Sequence, residues 1–189
     1  MAEALAGSQS AFEQIVRRYQ RPVIGLIARM VGDRALAEDL AQEAFVKAFR
    51  NLSAFDASRR LSSWLFRIAH NTAIDALRRG SAVTVPLDAD GQDEHAPRQL
   101  SSPPDPDPVE QAALGDALVA ALGHLRPDYR AAVVLRYEEG LAFDEIGHIL
   151  GVPEVTARSH VHRARKEMAR HLAEAGWAPA GATPRAGRT

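Results

Sequence analysis

A run of basic side chains in the last third of the chain has the composition of a DNA-reading helix. Four small or apolar residues recur there at i, i+4, i+7 and i+11, and we expect them to pack inward: Ala157, Val161, Ala164 and Met168. The positions between them then face outward and are mostly basic or hydrogen-bonding: Arg158, Ser159, His162, Arg163, Arg165 and Lys166. Guanidinium groups match guanine edges or phosphates, while hydroxyl and imidazole groups add shorter hydrogen bonds. The pattern favours DNA binding, although a solvated basic face on a structural helix remains the alternative.

The residues just before this helix complete the pattern of a helix-turn-helix. A short predicted helix carries an apolar face made of Phe143, Ile146, Ile149 and Leu150. Gly151 follows where a left-handed C-terminal cap is needed, and Pro153-Glu154 suits the first turn of the next helix. The segment from Leu141 to Met168 is therefore predicted to be a helix-turn-helix.

A second group of polar residues lies near the middle of the chain. On a predicted helix from Ser63 to Arg79, five residues share one face by helical spacing: Arg67, Asn71, Ile74, Asp75 and Arg78. Arg59 and Arg60 lie just upstream. Such a surface could follow a phosphate backbone while Asn71 hydrogen-bonds an unstacked base. A solvated face of an amphipathic helix is the other interpretation.

Catalytic and metal chemistry find little support in the sequence. Cysteine is absent, which removes disulfides, thiolate ligands and a cysteine nucleophile. Glu145 and His148 have the Glu-x-x-His spacing of di-metal helical bundles, and His160, His162 and His171 lie on or near one helix. A real site of that kind needs several carboxylates that project into one core. We therefore predict no catalytic residue, no metal site and no cofactor.

The composition predicts an all-α protein. Ala and Leu supply much of the apolar content and aromatic residues make up only 6% of the chain, which favours helix over sheet. No apolar run approaches the roughly 20 residues that span a bilayer. The segment from Met1 to Ser10 lacks the basic-then-apolar order of a signal peptide, so we expect a cytoplasmic protein without membrane insertion.

The distribution of charge and of turn-forming residues divides the chain into two small helical domains. The net charge is only −1, but an acidic, proline-rich stretch separates two basic regions. The apolar stripes predict four helices between Ala11 and Arg79, with a break at Pro22 and a turn at Gly32-Asp33. We predict one domain over residues 1–79, a flexible linker over 80–108, a helix-turn-helix domain over 109–172 and a disordered tail over 173–189.

Taken together, the motifs resemble the extracytoplasmic-function group of sigma factors. The resemblance covers nearly the whole ordered chain, including Glu38-Asp39-Leu40-Ala41-Gln42-Glu43-Ala44-Phe45, Ser63-Trp64-Leu65-Phe66-Arg67-Ile68-Ala69-His70-Asn71 and Val152-Pro153-Glu154 to Arg165. It implies a first domain similar to the second conserved region of the family and a last domain similar to its fourth. It also implies a function in promoter-specific initiation of transcription.

The resemblance assigns residues to three surfaces. Contact with the minus-10 element would involve Arg59, Arg60, Ser62, Trp64, Arg67, Asn71, Asp75, Arg78 and Arg79. Contact with the minus-35 element would involve Thr156, Arg158, Ser159, His162, Arg163, Arg165 and Lys166. Asp39, Gln42 and Glu43 would dock on the β′ clamp helices of RNA polymerase.

The partners that the resemblance implies are core RNA polymerase, through its β′ clamp helices and β flap, promoter DNA and an anti-sigma factor. A stand-alone helix-turn-helix regulator that binds duplex DNA without polymerase is the alternative, although it leaves the first domain without a role.

Overall fold

The computed structural model describes residues 8–80 and 108–177, and these residues form seven α-helices without a β-strand. The first three are α1 (Gln9–Val31), α2 (Arg34–Arg50) and α3 (Leu61–Gly80), with a short 3-10 helix (Leu52–Ala54) after α2. The last four are α4 (Pro108–His124), α5 (Pro127–Tyr137), α6 (Phe143–Leu150) and α7 (Glu154–Glu174). The predicted linker, apart from its two ends, and most of the predicted tail lie outside the described residues.

Helix α1 runs through Pro22 without a break, whereas the sequence predicted two helices at this place. A proline inside a helix removes one hydrogen bond and costs about 3 kcal/mol. The residues that α1 buries continue on one face across the proline: Ala11, Ile15, Val23, Leu26, Ile27 and Met30. Burial of that continuous stripe outweighs the local cost of the proline, because each large side chain contributes about 1.5–3 kcal/mol.

Helix α2 begins where the sequence predicted a turn. Gly32 has a left-handed φ of 77°, and the side chain of Asp33 accepts a hydrogen bond from Leu36 N at 3.1 Å. The buried side of α2 consists of Ala37, Leu40, Ala41, Ala44, Phe45 and Ala48. The spacing i, i+4, i+8 would place Leu36 on the buried side with Leu40 and Ala44, but Leu36 is 42% exposed.

The helix-turn-helix forms as predicted. Gly151 ends α6 with a φ of 71°, and Val152 N donates to Gly147 O at 2.9 Å across the turn. On α7 the side chains of Ala157, Val161 and Ala164 are buried, as their spacing predicts. The backbones of α6 and of the turn approach each other most closely at Gly147, where a Cβ would lie only 2.7 Å from Val152 O.

The first three helices and the last four share one hydrophobic core. A single cluster of buried residues contains Leu26, Leu65 and Phe66 together with Leu135 and Ile146. Helix α3 packs on α6, and α1 packs on α5. The two groups of helices, residues 8–80 and residues 108–177, are called the N-terminal half and the C-terminal half below.

Polar contacts reinforce this junction between the halves. The guanidinium of Arg130 in α5 donates to the carbonyl oxygen of Met30 at 2.7 Å, at the C-terminal end of α1. The side chains of Arg29 and Glu138 form an ion pair at 3.1 Å. His70 of α3 lies almost fully buried, with its Nε2 atom 3.9 Å from Asp128 Oδ1 of α5. The junction therefore combines apolar packing with hydrogen bonds and charge pairs.

Acidification is expected to destabilise the protein through the buried His70 and the half-buried His148 and His160. Burial lowers the pKa of His70 below its ordinary 6.5, against the opposing effects of Asn71 and Asp128. Burial also lowers the pKa of His148 and of His160. Because the folded state then binds these protons more weakly than the unfolded state, the stabilisation is complete above the unfolded pKa and is lost as the pH falls.

We therefore expect the melting temperature to fall between about pH 7.5 and about pH 5.5, and to fall less in His70→Gln. His162→Gln, at an exposed position of α7, is the matched control and should behave as the wild type. An equal fall in wild type and His70→Gln would show that His70 does not contribute.

No helix within residues 8–80 and 108–177 has both the length and the apolar character that crossing a membrane requires.

Candidate nucleic-acid interface

A surface cavity of about 290 Å³ lies between the loop after the 3-10 helix and the start of α3. Its lining consists of Ala54, Phe55, Asp56, Arg59, Trp64, Arg67 and His148. The rings of Phe55 and Trp64 stand 5.3 Å apart with their planes tilted by 60°. Two aromatic rings beside two guanidinium groups provide both stacking and charge, which is the combination that single-stranded nucleic acids require.

The loop that forms one wall of this cavity is shaped by Asp56. Its carboxylate accepts hydrogen bonds from Ser58 N at 3.0 Å and Ser58 Oγ at 2.7 Å. These two bonds lower the pKa of Asp56, with a smaller contribution from Arg59 at 3.5 Å. Asp56 was not predicted from the sequence as a site residue, although an Asp two residues before a Ser is a recognisable signal for an Asx turn.

The residues predicted for minus-10 contact are only partly gathered at the cavity. Arg59, Trp64 and Arg67 line it. Four others lie exposed along α3 and continue the polar face away from it: Asn71, Asp75, Arg78 and Arg79. Of the remaining two, Ser62 is half-buried, and Arg60 turns toward α6, where its Nη1 atom lies 3.3 Å from Glu145 Oε1.

Helix α7 presents most of its predicted DNA-reading side chains to solvent. The exposed members of the set are Arg158, Ser159, His162, Arg165 and Lys166, while Thr156 is half-buried. The guanidinium of Arg158 lies 4.6 Å from the ring centre of Phe143 and pairs with Glu154 at 2.9 Å. Arg136 lies on the same ring, also at 4.6 Å. Phe143 of α6 therefore helps to fix the direction of an arginine on α7.

Arg163 differs from the other predicted contacts on α7. It is half-buried, and its Nη1 atom donates to the hydroxyl oxygen of Tyr129 at 3.2 Å. His160 is also half-buried, and its ring lies 5.0 Å from that of Tyr129. Both side chains thus contact α5, which limits how freely they can reach a DNA groove.

Helix α2 exposes a mixed apolar and acidic stripe. Its large apolar members are Leu36 (42% exposed), Val46 (49%) and Phe49 (54%). By helical spacing, Asp39 and Glu43 lie on the same face, with Gln42 beside them. Asp39 and Gln42 are exposed, whereas Glu43 is half-buried and pairs with Lys47 at 2.8 Å. We call these residues the α2 stripe; it has the composition of a docking surface for another protein.

The Glu-x-x-His pair does not form part of a metal cluster. Glu145 accepts hydrogen bonds from Ser63 Oγ and Ala142 N, each at 3.2 Å. The Nδ1 atom of His148 lies 3.0 Å from Arg59 Nη1. Among the residues that the structure describes, no three His, Asp or Glu side chains come together in a way that could hold a metal ion.

Family models match both halves of the chain. The model for sigma-70 region 2 matches residues 15–83, and the model for sigma-70 region 4 matches residues 115–168. The first match contains α3 and every residue that lines the cavity except His148, and the second contains His148 and the helix-turn-helix. The two surfaces identified above therefore coincide with the two conserved regions of one family.

Full-length relatives agree with these matches. The chain is 34% identical to the ECF RNA polymerase sigma factor SigW of Bacillus subtilis, over 88% of this chain and 91% of that protein. It is 39% identical to the RNA polymerase sigma factor CarQ of Myxococcus xanthus, over 89% and 92%. It is 35% identical to the ECF RNA polymerase sigma-E factor of Escherichia coli, over 85% of each.

Solved structures show the same fold. CnrH, in complex with the cytosolic domain of CnrY, superposes with a TM-score of 0.63 at 26% identity, over 92% of this chain and 94% of CnrH. The sigma factor RpoE of Bartonella quintana, in complex with the anti-sigma factor NepR, superposes with a TM-score of 0.65 at 22% identity, over 86% and 97%. The chain belongs to the extracytoplasmic-function group of the sigma-70 family and is an RNA polymerase sigma factor.

Proposed function

We propose that this sigma factor uses three surfaces: the α2 stripe for core polymerase, the cavity and polar face of α3 for the minus-10 element, and α7 for the minus-35 element. The observation that carries the proposal is the cavity, where Phe55, Trp64 and Arg67 combine stacking surface with positive charge. In this proposal residues 1–79 form the first domain, residues 80–108 the linker, residues 109–172 the second domain and residues 173–189 a tail.

At the minus-10 element the cavity would hold a base that leaves the duplex. Extruding a base costs a few kcal/mol, and stacking on an aromatic side chain returns about 1–3 kcal/mol. Arg59 and Arg67 line the cavity and carry the charge that a nearby phosphate needs. Asn71, exposed further along α3, supplies both a donor and an acceptor for a second base. Capture of extruded bases would shift the promoter toward its open form.

At the minus-35 element α7 would enter the major groove with its N-terminal half. Arg158 and Ser159 lie exposed near that end of the helix, where recognition helices contact base edges. His162, Arg165 and Lys166 follow on the exposed side and would approach base edges or phosphates. Thr156 and Arg163 are half-buried, so they would act indirectly, by holding the neighbouring exposed side chains of α7 in place.

The remaining partners follow from the family. We propose that the β flap of the polymerase holds the C-terminal half and that an anti-sigma factor regulates the protein, since RpoE is seen with the anti-sigma factor NepR. Sigma factors are initiation factors and are generally not enzymes. We propose that this chain likewise catalyses no reaction and that it acts in the cytoplasm with polymerase. The relatives support this function over a stand-alone DNA-binding regulator, because sigma factors match both halves.

Reconstituted transcription tests the proposal. With cognate core polymerase and a promoter library, the protein should produce transcripts with defined start sites, and core alone should produce none. We expect Arg67→Ala to reduce open-complex formation about tenfold or more, as measured by permanganate reactivity. Arg158→Ala should weaken promoter binding about tenfold by removing a base or phosphate contact.

Arg170→Ala is the matched control, because Arg170 is exposed on the same helix but lies beyond the proposed contacts. Random start sites, or initiation that does not depend on the protein, would refute the proposed function.

The α2 stripe gives a separate prediction for polymerase binding. Asp39→Arg places a positive charge where the proposal has a carboxylate that faces basic side chains, so affinity for core polymerase should fall about tenfold or more. Asp116→Arg makes the same charge change at an exposed position on α4 and serves as the control. Fluorescence anisotropy with labelled protein measures both affinities. Equal affinity of Asp39→Arg and wild type would remove the α2 stripe from the interface.

A further inference from the structure

The first turn of α6 lies against the proposed minus-10 surface. Glu145 Oε1 lies 3.3 Å from Arg60 Nη1 and accepts a hydrogen bond from Ser63 Oγ at 3.2 Å. The Glu145 side chain is only 18% exposed, whereas that of Arg60 is 73% exposed. A carboxylate from the C-terminal half is therefore held in a fixed place against donors from the N-terminal half.

A second side chain of α6 lies at the cavity itself. His148 is the one lining residue that comes from the C-terminal half, and its Nδ1 atom lies 3.0 Å from Arg59 Nη1. Its imidazole thus forms part of the wall of the cavity that also contains Phe55 and Trp64. The helix that carries Glu145, α6, therefore also forms part of the cavity wall.

Arg60, one of the donors that Glu145 engages, is a donor that a phosphate would use. A guanidinium is a common ligand of the DNA backbone, and a carboxylate presents oxygen atoms to it in a similar way. One group cannot hold a carboxylate and a phosphate at the same place. The contact between Glu145 and Arg60 therefore competes with binding of a promoter phosphate at the same atoms of Arg60.

We propose that Glu145 is an internal substitute for a promoter phosphate at Arg60, and that with His148 at Arg59 it covers the end of the minus-10 surface nearest the cavity while α6 packs on α3 in the free protein. We call this packed arrangement the closed state. The proposal rests on the proposed function, because Arg59 and Arg60 belong to the minus-10 surface. Glu145 is suited to this role because its other oxygen, Oε2, accepts from Ala142 N at the start of α6. The start of α6 thus holds the Glu145 carboxylate through a hydrogen bond that does not involve Arg60.

Binding of single-stranded DNA by the full chain tests the role of the carboxylate. The probe is a fluorescein-labelled 12-nucleotide DNA of random sequence, whose anisotropy is measured without polymerase. Because the Arg60–Glu145 pair is largely exposed on one side, we expect Glu145→Gln to raise affinity about two- to fivefold. His148→Ala should change affinity in the same direction.

The control for charge is Asp144→Asn, which removes one negative charge from the same helical turn at an exposed residue. A similar gain in Asp144→Asn and Glu145→Gln would overturn the proposal, as would the absence of a gain in both Glu145→Gln and His148→Ala.

A reversible lock tests the closed state independently. The chain has no cysteine, so Ser63→Cys/Glu145→Cys introduces a unique pair that a short, thiol-cleavable bis-methanethiosulfonate can bridge. Bridged protein should lose promoter-specific initiation, and reduction should restore it. Arg170→Cys/Glu174→Cys, a pair within α7, controls for the reagent.

The results with the bridged and unbridged proteins distinguish failure of this inference from failure of the proposed function. Full initiation by the bridged protein would overturn the closed state as inhibitory. Failure of the unbridged protein to initiate, alongside a similar failure of wild type, would instead contradict the proposed function.

Discussion

Gly147→Ala is expected to lower the free energy of unfolding by about 2 kcal/mol and the melting temperature by about 5 °C. The added Cβ would lie 2.7 Å from Val152 O and 3.3 Å from Glu154 N, both of which are backbone atoms. Backbone cannot rotate away as a side chain does, so the turn between α6 and α7 must shift. Alanine favours a helix over glycine by only about 1 kcal/mol, which is too little to compensate.

Gly115→Ala supplies the matched control for this prediction. Gly115 lies exposed in α4, and a Cβ there would meet nothing within 4 Å. The same substitution should therefore stabilise the protein, by about 0.5–1 kcal/mol. Thermal and denaturant unfolding measure both variants. Stabilisation by Gly147→Ala as well would show that the turn adapts to the extra methyl group.

Arg130→Met is expected to cost about 3 kcal/mol of stability, because one guanidinium serves the ends of two helices. Its Nη1 atom donates to the carbonyl oxygens of Met30 at 2.7 Å and Arg29 at 3.3 Å, and its Nη2 atom to those of Gly123 at 2.6 Å and Leu125 at 2.8 Å. Methionine keeps the apolar stem but removes every donor and the charge that faces the helix C-termini.

Arg170→Met is the comparison, since Arg170 lies exposed on α7 and pairs only loosely with Glu174 at 3.9 Å. It should cost no more than about 0.5 kcal/mol. Denaturant titration gives the free energy of unfolding for both variants. If the two losses were equal, the buried carbonyl oxygens would have to find other donors when Arg130 is absent. Hydrogen exchange near Met30 and Leu125 would reveal that rearrangement.

The local features of the fold were accessible from sequence because they depend on neighbouring residues. Turn geometry accounts for the left-handed conformation of Gly32 and Gly151. Helical periodicity accounts for the burial of Ala157, Val161 and Ala164. The polar face of α3 was predicted for the same reason. The resemblance to a family then supplied the order of the surfaces along the chain.

Features that depend on distant residues were not accessible. Nothing near Pro22 in the sequence shows that burial along α1 holds the helix intact through the proline. Ser63, Phe66 and His70 form a second buried side of α3, and its signal was available as their i, i+3, i+7 spacing. Recognising that this side packs on α6 and α5 required knowledge of how the two halves meet.

The same limit applies to the candidate site. Arg59, Trp64 and Arg67, which line the cavity, were predicted from the sequence as site residues. His148, which joins them from 81 positions beyond Arg67, was not. Glu145 was considered as a possible metal ligand, because spacing alone cannot reveal an arginine contributed by another part of the chain. The assignments to DNA and to polymerase remain predictions that the experiments above address.

The hydrophobic core shared by residues 8–80 and 108–177 limits how the two halves can evolve and how they can be exchanged between relatives. Leu26, Leu65, Leu135 and Ile146 belong to one cluster, so each half was shaped in the presence of the other. A chimera that joins one half to the counterpart from a relative would bring together surfaces that were never fitted to each other. We therefore expect the two halves to be inherited as a pair, with matched changes on both sides of the junction.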